Sequence, residues 1–119
     1  MLNTFLEKIT KRSDYTTIAS KGFRWVTPAF ILQAYSHSHK GPVRYGITAS
    51  RKVGGAVQRN FAKRRLRSLA TTLLPHHAKP GMNYVFVARR PLLKYSFMSL
   101  SHDLKKALPL LHKQENESF

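Results

Sequence analysis

The chain has 119 residues, of which 42% are hydrophobic, so it is large enough for one domain with a modest core. It has no cysteine, which excludes disulfides and thiolate metal sites, and no apolar run approaches the roughly 20 residues that span a bilayer. With 21 Lys and Arg against 5 Asp and Glu, its net charge is +16. We therefore expect a cytoplasmic protein that binds a polyanion, with nucleic acid favoured over an anionic membrane surface.

The N-terminal half of the sequence predicts a short helix followed by three strands. Residues 1–12 read as a loosely held, flexible arm, after which Ser13 is a plausible N-cap and Gly22 a plausible helix stop. Strands are predicted over residues 22–27, 30–35 and 43–50, where apolar side chains alternate or run together between turn residues.

The C-terminal half predicts two long helices on either side of a buried strand. These elements cover residues 56–74, 83–88 and 96–112, and the last helix carries leucines at positions 100, 104, 108 and 111. Pro75 is expected to stop the first helix, Pro109 to kink or shorten the second, and residues 113–119 to form a flexible tail. The order helix, three strands, helix, strand, helix predicts a single α+β domain over residues 1–119, with helices packed on one small sheet.

Acidic residues are confined to the two ends of the chain. They are Glu7, Asp14, Asp103, Glu115 and Glu117. The segment from Tyr15 to His102 has none, although it holds 15 of the 21 basic residues. A metal-dependent nuclease needs clustered carboxylates to hold its ions, so this distribution argues against a catalytic site in the protein, and we assign no catalytic residue. Asp14 and Asp103 could form a metal site only if the fold brings them together.

The stretch R-N-F-A-K-R-R-L-R, residues 59–67, lies within the first long predicted helix. At about 100° per residue, one side of that helix carries Ala62, Leu66, Leu69, Ala70 and Leu73. Asn60, Lys63, Arg64 and Arg67 fall together on an adjacent side. The pattern indicates an amphipathic helix with a core face and a separate cationic face.

A solvated basic face or a nuclear localisation signal would also explain these charges. Three features favour a binding surface instead. The helix lacks the Glu partners that solvated helices carry four residues away, it follows the Gly54-Gly55 turn, and its cations begin near an N-terminus, where free N–H groups favour phosphate. Arg offers a planar fork to phosphate oxygens, and Asn60 can bond a base edge or a ribose hydroxyl.

The segment S-R-K-V-G-G-A-V-Q-R-N-F-A-K-R-R-L-R, residues 50–67, resembles the signature of the protein subunit of bacterial ribonuclease P. That signature is a small residue, two basic residues, a glycine-containing turn, A-V, and then R-N-x-x-K-R-x-x-R. The segments D-Y-T-T-I-A-S-K-G, R-Y-G-I-T-A-S and Y-V-F-V-A-R-R-P also look like the family's first helix, middle strand and last strand. The resemblance covers residues 13–108.

The resemblance implies an αβββαβα two-layer sandwich with a small sheet and a left-handed βαβ crossover, similar to the second domain of a ribosomal protein. It implies a ribonucleoprotein that removes the 5′ leader of precursor tRNA. The catalytic centre would lie in RNA and use Mg²⁺ bound mainly by that RNA, with none bound by the protein alone. The implied partners are ribonuclease P RNA and precursor tRNA, without a membrane and without an obligate protein partner.

The family's helical motif maps onto five residues of this chain, which we call the basic stripe: Arg59, Asn60, Lys63, Arg64 and Arg67. The resemblance implies that they face the catalytic RNA. It also implies a leader cleft between the first helix and the sheet, for which the candidates are Tyr15, Arg51, Lys52, Arg89 and Arg90. Ala19 and Gln33 replace residues that are often aromatic in the family, and Phe61 stands where the family often has a basic residue.

Other candidate features have simpler interpretations. The histidine pairs at positions 37 and 39 and at 76 and 77 are expected to be loop side chains, because no acid or cysteine completes a ligand set. Trp25 is expected in the core rather than beside the cleft. Gly54-Gly55 lacks the G-K-[ST] of a P-loop.

Three other classes of function remain open from the sequence. A general RNA-binding module would show the same charge without the fixed motif spacing. A DNA-binding protein would place the basic helix in a major groove, yet a strand precedes this helix where a helix-turn-helix would need a helix. A protein-only nuclease is opposed by the distribution of carboxylates.

Overall fold

The computed structural model describes residues 6–36 and 41–117. In chain order the elements are β1 (Leu6–Lys8), α1 (Arg12–Lys21), β2 (Phe23–Val26), β3 (Phe30–Ser36), β4 (Val43–Thr48), α2 (Ala56–His77), β5 (Met82–Ala88), the 3₁₀ turn η1 (Arg90–Lys94) and α3 (Phe97–Glu117). The predicted α+β class and the αβββαβα order are confirmed, with β1 and η1 in addition.

The five strands form one mixed sheet in the order β1-β4-β5-β3-β2. The β2–β3 and β3–β5 pairs are antiparallel, while β4 pairs with β5 and β1 pairs with β4 in parallel. Because adjacent parallel strands need a crossover connection, α2 links β4 to β5 as a βαβ unit. The left-handed sense of this crossover stays a prediction from the resemblance.

The main hydrophobic core lies between the sheet and the helices α2 and α3, which together form the predicted two-layer sandwich. From the sheet it receives alternate residues of the central strands, such as Phe30, Leu32, Tyr84 and Phe86, all fully buried. Ala62, Leu66, Leu69, Ala70 and Leu73 of α2 and Leu100, Leu104, Leu108 and Leu111 of α3 are buried against them. The core faces predicted for both helices are confirmed.

The opposite face of the sheet carries α1 over a second, smaller cluster. Ile9, Ile18 and Val85 are its buried members, and Tyr15, Tyr35 and Val87 pack against them half-exposed. Because the ten-residue α1 covers only part of this face, side chains of β2 and β3 next to it remain accessible. We call the uncovered part of the sheet beside α1 the cleft; that it binds a leader stays a prediction from the resemblance.

The N-terminal segment differs from the predicted arm. Residues 6–8 form β1, which pairs Leu6, Glu7 and Lys8 with β4, and the N–H of Ile9 donates to the carbonyl of Tyr45 at 2.8 Å. The helix α1 begins at Arg12 after Lys11, so the predicted N-cap Ser13 lies inside the helix, whereas Gly22 follows its end as predicted. Three residues carry too little pattern to show a strand in the sequence.

Both long helices pass their prolines and extend beyond the predicted ends. The helix α2 continues past Pro75 to His77, and α3 continues past Pro109 through much of the expected polar tail to Glu117. Each proline lacks the backbone N–H that would donate one of the helical hydrogen bonds. Packing of the buried Leu74 and Leu111 on the sheet side offsets that loss. Although these helices have 22 and 21 residues, no helix in the described part of the chain has the apolar length to span a membrane.

A polar network ties the C-terminal half of α3 to the α2–β5 loop. The hydroxyl of the buried Tyr84 accepts the backbone N–H of Lys79 at 3.0 Å and lies 2.6 Å from Nε2 of His112. Nζ of Lys79 reaches Oε1 of Glu115 at 2.9 Å and Oδ1 of Asn116 at 3.2 Å. These bonds give the polar end of α3 the fixed partners that a frayed tail would lack.

The network makes stability depend on pH through His112. Burial, followed by the charge of Lys79, lowers the pKa of His112 from 6.5 to about 4. Between these two values the unfolded chain binds a proton at His112 and the folded chain does not. The stabilisation that neutral His112 contributes is therefore complete above pH 6.5 and is lost as the pH falls towards 4. Urea unfolding between pH 7 and 4 should show a shallower loss for His112→Gln than for the native chain. The exposed His102→Gln is the control and should follow the native curve; equal slopes for all three would contradict this role.

Candidate nucleic-acid interface

All five residues of the basic stripe lie on the first three turns of α2, beside its buried face. Asn60, Arg64 and Arg67 are exposed, while Arg59 and Lys63 are half-buried along the flank of the helix. The structure therefore brings together every residue that the motif predicted and presents them on one surface.

The cations of the basic stripe have no acidic neighbours among residues 6–36 and 41–117. The ion pairs formed there by the chain are Arg44–Asp14 and Lys79–Glu115, both at 2.9 Å and both away from the stripe. In addition, Nε of Arg59 is buried without a hydrogen-bond partner. Unpaired cations on one helix face repel one another, so an external polyanion would stabilise this surface.

The turn before α2 sets where the stripe begins. Gly54 has a φ of +152°, and Gly55 is the residue that precedes the first turn of the helix. A Cβ on Gly54 would lie 2.9 Å from Cβ of Gln58, so the loop can fold back against the helix only with glycine there. The first helical turn has no acidic residue, and its free N–H groups add to the positive potential of the stripe.

Arg65 has a structural role that the sequence did not reveal. It belongs to the same run of cations, but its Nη2 donates to the carbonyl of Tyr95 at 2.9 Å and its guanidinium lies 5.4 Å from the ring centre of Phe61. These contacts hold α2 against the segment after η1. The helical angle of Arg65, on the flank of the core face away from the stripe, was the one signal that set it apart.

Tyr15, the predicted stacking residue of the cleft, packs its ring against the sheet. A Cβ on Gly46 of β4 would come within 2.6 Å of its ring carbons, so only glycine leaves room for the ring. The hydroxyl donates to the carbonyl of Ile9 at 3.3 Å, and burial raises the pKa of the phenol above its ordinary value. The ring is therefore neutral and fixed in place, with part of its surface exposed beside the cleft.

An ion pair anchors the start of α1 next to Tyr15. Asp14 accepts from Nη2 of Arg44 at 2.9 Å, which joins the helix to β4 on the cleft side of the sheet. Asp103 is on α3, which packs on the other face. The sheet thus separates the two acids whose meeting would have been needed for a metal pair. No group of three or more potential metal ligands occurs among the residues that the structure describes.

The four predicted leader-binding cations follow the same end of two neighbouring strands. Arg51 and Lys52 come just after β4, and Arg89 and Arg90 just after β5, which runs parallel to β4 with Thr48 opposite Val87. All four are exposed. Arg89 also donates from Nη1 to the carbonyl of Thr27 at 2.8 Å, so it supports the β2–β3 turn as well.

One row of residues runs in register across four strands on the α1 side of the sheet, from the open cleft to positions buried beneath α1. In register they are Arg24, Gln33, Val85 and Gly46. Gln33 therefore lies two strands from the Tyr15 ring, and Ala19 is exposed one turn after Tyr15 on α1. Tyr35 is also on this face and half-buried, although the sequence did not single it out; strict alternation within F-I-L-Q-A-Y-S places it on the same side as Gln33.

The remaining candidates lie apart from both surfaces. Trp25 packs partly buried against the main core, as predicted. The loop expected for His76 and His77 is wrong: they are exposed in the last turn of α2, with ring centres 6.3 Å apart. His37 and His39 lie outside the residues that the structure describes.

Solved structures with the same architecture are those of bacterial ribonuclease P proteins. The protein from Staphylococcus aureus matches with a TM-score of 0.73 and 25% sequence identity, covering 87% of this chain and 93% of that one. The protein from Thermotoga maritima matches with a TM-score of 0.73 and covers 85% and 94%; at 23% identity it supports the fold alone.

Sequence comparison gives the same family at higher identity. The ribonuclease P protein component of Paramagnetospirillum magneticum is 37% identical over 107 residues, covering 87% of this chain and 80% of that protein. That of Caulobacter vibrioides is 42% identical over 103 residues, covering 86% and 68%. The family model described as Ribonuclease P matches residues 6–112, and the chain thus belongs to the family of bacterial ribonuclease P proteins.

Proposed function

We propose that this chain binds ribonuclease P RNA through the basic stripe and assists RNA-catalysed removal of the 5′ leader from precursor tRNA. The observation that carries the proposal is the stripe itself: four cations and one amide on one face of α2, without acidic partners in the described chain. Phosphate neutralisation by such a surface supplies affinity that does not depend on sequence. The rigid packing of α2 on the sheet fixes the orientation of the bound RNA.

Among the residues that the structure describes, the carboxylates form no cluster that would suit a protein-bound Mg²⁺. This ion prefers carboxylate and water oxygens, whereas Asp14 is paired with Arg44 and Glu115 with Lys79. We propose that the RNA holds the metal and that the protein contributes only binding and orientation. Its cations would reduce repulsion between RNA phosphates, so the RNA needs less free Mg²⁺ to adopt its active arrangement.

The cleft beside α1 is proposed to hold the single-stranded leader. The exposed cations at residues 51, 52, 89 and 90 border one end of the sheet, while the fixed Tyr15 ring lies beside the cleft on the α1 face. Alternating phosphate contacts and stacking surfaces are what single-stranded RNA binding requires. With Ala19 and Gln33 in place of aromatics, Tyr15 is the main stacking surface proposed in this cleft.

Leader recognition predicts a specific effect of Tyr15. In the holoenzyme, Tyr15→Ala should lower the preference for precursor tRNA over mature tRNA by about fivefold or more, because stacking of one base contributes roughly 1–3 kcal/mol. Tyr15→Phe keeps the ring and is the matched control, which should retain the preference. Equilibrium binding of the two RNAs by each holoenzyme measures the ratio. An unchanged ratio in Tyr15→Ala, with an unchanged melting temperature, would contradict a stacking role.

A further inference from the structure

We propose that a hollow between the start of α2 and η1 receives one unstacked nucleobase of the bound RNA. The hollow has a volume of about 450 Å³ and is lined by Val57, Gln58, Asn60, Phe61, Arg64 and Leu93. Its size lies within the range of sites that take small organic groups. This inference rests on the proposed function, since it names how part of the partner RNA would be held beside the stripe.

The floor of the hollow is apolar although it faces solvent. The side chain of Val57 is 79% exposed in the first turn of α2, where nothing in the fold requires an apolar residue. Phe61 and Leu93 are half-buried next to it. An exposed apolar surface of this kind, set among cations, is typical of a binding site for a flat, partly apolar group.

The ring of Phe61 is held rigidly at this floor. Arg65 lies over the ring at 5.4 Å and is itself held by its 2.9 Å hydrogen bond to the carbonyl of Tyr95. The guanidinium occupies one side of the ring, and the hollow borders the part of the half-buried ring that stays exposed. A fixed aromatic side chain loses little entropy when a base stacks on it, which favours binding.

The rim of the hollow is polar and has unused hydrogen-bonding groups. Within the described part of the chain, the side chains of Gln58, Asn60 and Arg64 are exposed and make no hydrogen bond or ion pair. Two amides can pair with the edge of a base, and Arg64 can bind the adjoining phosphate. One site thus offers an apolar floor to the face of a base, amides to its edge and a guanidinium to its phosphate.

Charge selects RNA as the occupant over an apolar peptide. The hollow opens on the basic stripe of a chain with net charge +16, so a neutral or basic peptide would gain nothing from its rim. A base in a duplex cannot reach a side hollow without leaving its stack, whereas a base in a single-stranded or bulged region can. The structure therefore points to an unpaired nucleotide.

The test compares two small probes that differ only in the base. Adenosine 5′-monophosphate and ribose 5-phosphate are titrated into the full-length chain, observed through the methyl resonances of Val57 and Leu93 and the ring of Phe61. We expect the nucleotide to shift these signals, and ribose 5-phosphate to leave them unchanged. Phe61→Leu should weaken nucleotide binding about fivefold. Phe23→Leu, the same change in a partly buried Phe of β2, should leave it unchanged.

The outcomes separate this inference from the proposed function. Equal shifts with both probes, or shifts confined to Tyr15 and the cleft, would overturn the hollow as a base site. Equal affinities of Phe61→Leu and Phe23→Leu for the nucleotide would also overturn the hollow as a base site, provided that both variants melt near the native temperature. Binding of ribonuclease P RNA, measured in parallel by filter retention, decides the proposed function. The nucleotide titration decides whether the hollow binds a base, and its result does not depend on whether ribonuclease P RNA binds.

Discussion

Replacement of the four stripe cations Arg59, Lys63, Arg64 and Arg67 by alanine together is expected to remove most of the affinity for ribonuclease P RNA. Each phosphate contact releases condensed counterions, so loss of four contacts should reduce the slope of log affinity against log salt by about 3. These side chains have no acidic partners in the described chain, and their removal breaks no ion pair of the fold. Filter binding across a salt series measures both quantities.

A variant of equal charge separates the stripe from the total charge of the chain. Lys8, Lys105, Lys106 and Lys113 are exposed on β1 and α3, so their replacement by alanine also removes four charges. We expect this variant to keep most of the affinity and nearly the whole salt slope. Equal losses in both variants would show that the chain binds RNA through its net charge rather than through the stripe.

A methyl group at Gly46 is expected to be strongly destabilising. The Cβ of alanine would fall within 2.6 Å of ring carbons of Tyr15, the α1 side chain that covers β4 at this position. Overpacking of this kind typically costs about 1–3 kcal/mol, and here it should also displace the ring from the cleft. Chemical denaturation of Gly46→Ala should therefore show a lower free energy of unfolding together with weaker leader preference in the holoenzyme.

A second substitution tests the cause of that loss. Tyr15→Ala removes the ring, so Gly46→Ala should be far less damaging in the Tyr15→Ala background than in the native chain. Gly55→Ala is the matched control, because its Cβ would meet only the Oε1 atom of Gln58, at 3.2 Å. If the cost of Gly46→Ala were the same with and without the Tyr15 ring, the proposed contact would not be its origin.

The helical elements and the basic stripe were predictable because their pattern is local. A period of 3.6 residues separates the face of Leu66 and Leu69 from that of Lys63 and Arg67, and the structure buries the first pair and exposes Arg67. Central strands such as β5 were predictable from their apolar content. The grouping of Arg51 with Arg89 needed the parallel pairing of β4 and β5, which composition does not encode.

Features set by distant contacts were not predictable from the sequence. The strand β1 exists because its three residues pair with β4, some 37 positions further along the chain. Pro75 was expected to end α2, yet burial of Leu73 and Leu74 keeps the last turn helical. The place of Tyr15 depends on Gly46, and that of Arg65 on the carbonyl of Tyr95. In each case tertiary packing outweighed a local preference.

The most direct test of the central claim, that the basic stripe docks the catalytic RNA for leader removal, is reconstitution at low Mg²⁺. A bacterial ribonuclease P RNA and a precursor tRNA are incubated with the native chain, with the four-alanine stripe variant and with the four-lysine control variant. We predict that the native chain and the control restore 5′ cleavage and that the stripe variant does not. Restoration by all three, or by none although all bind RNA, would contradict the claim.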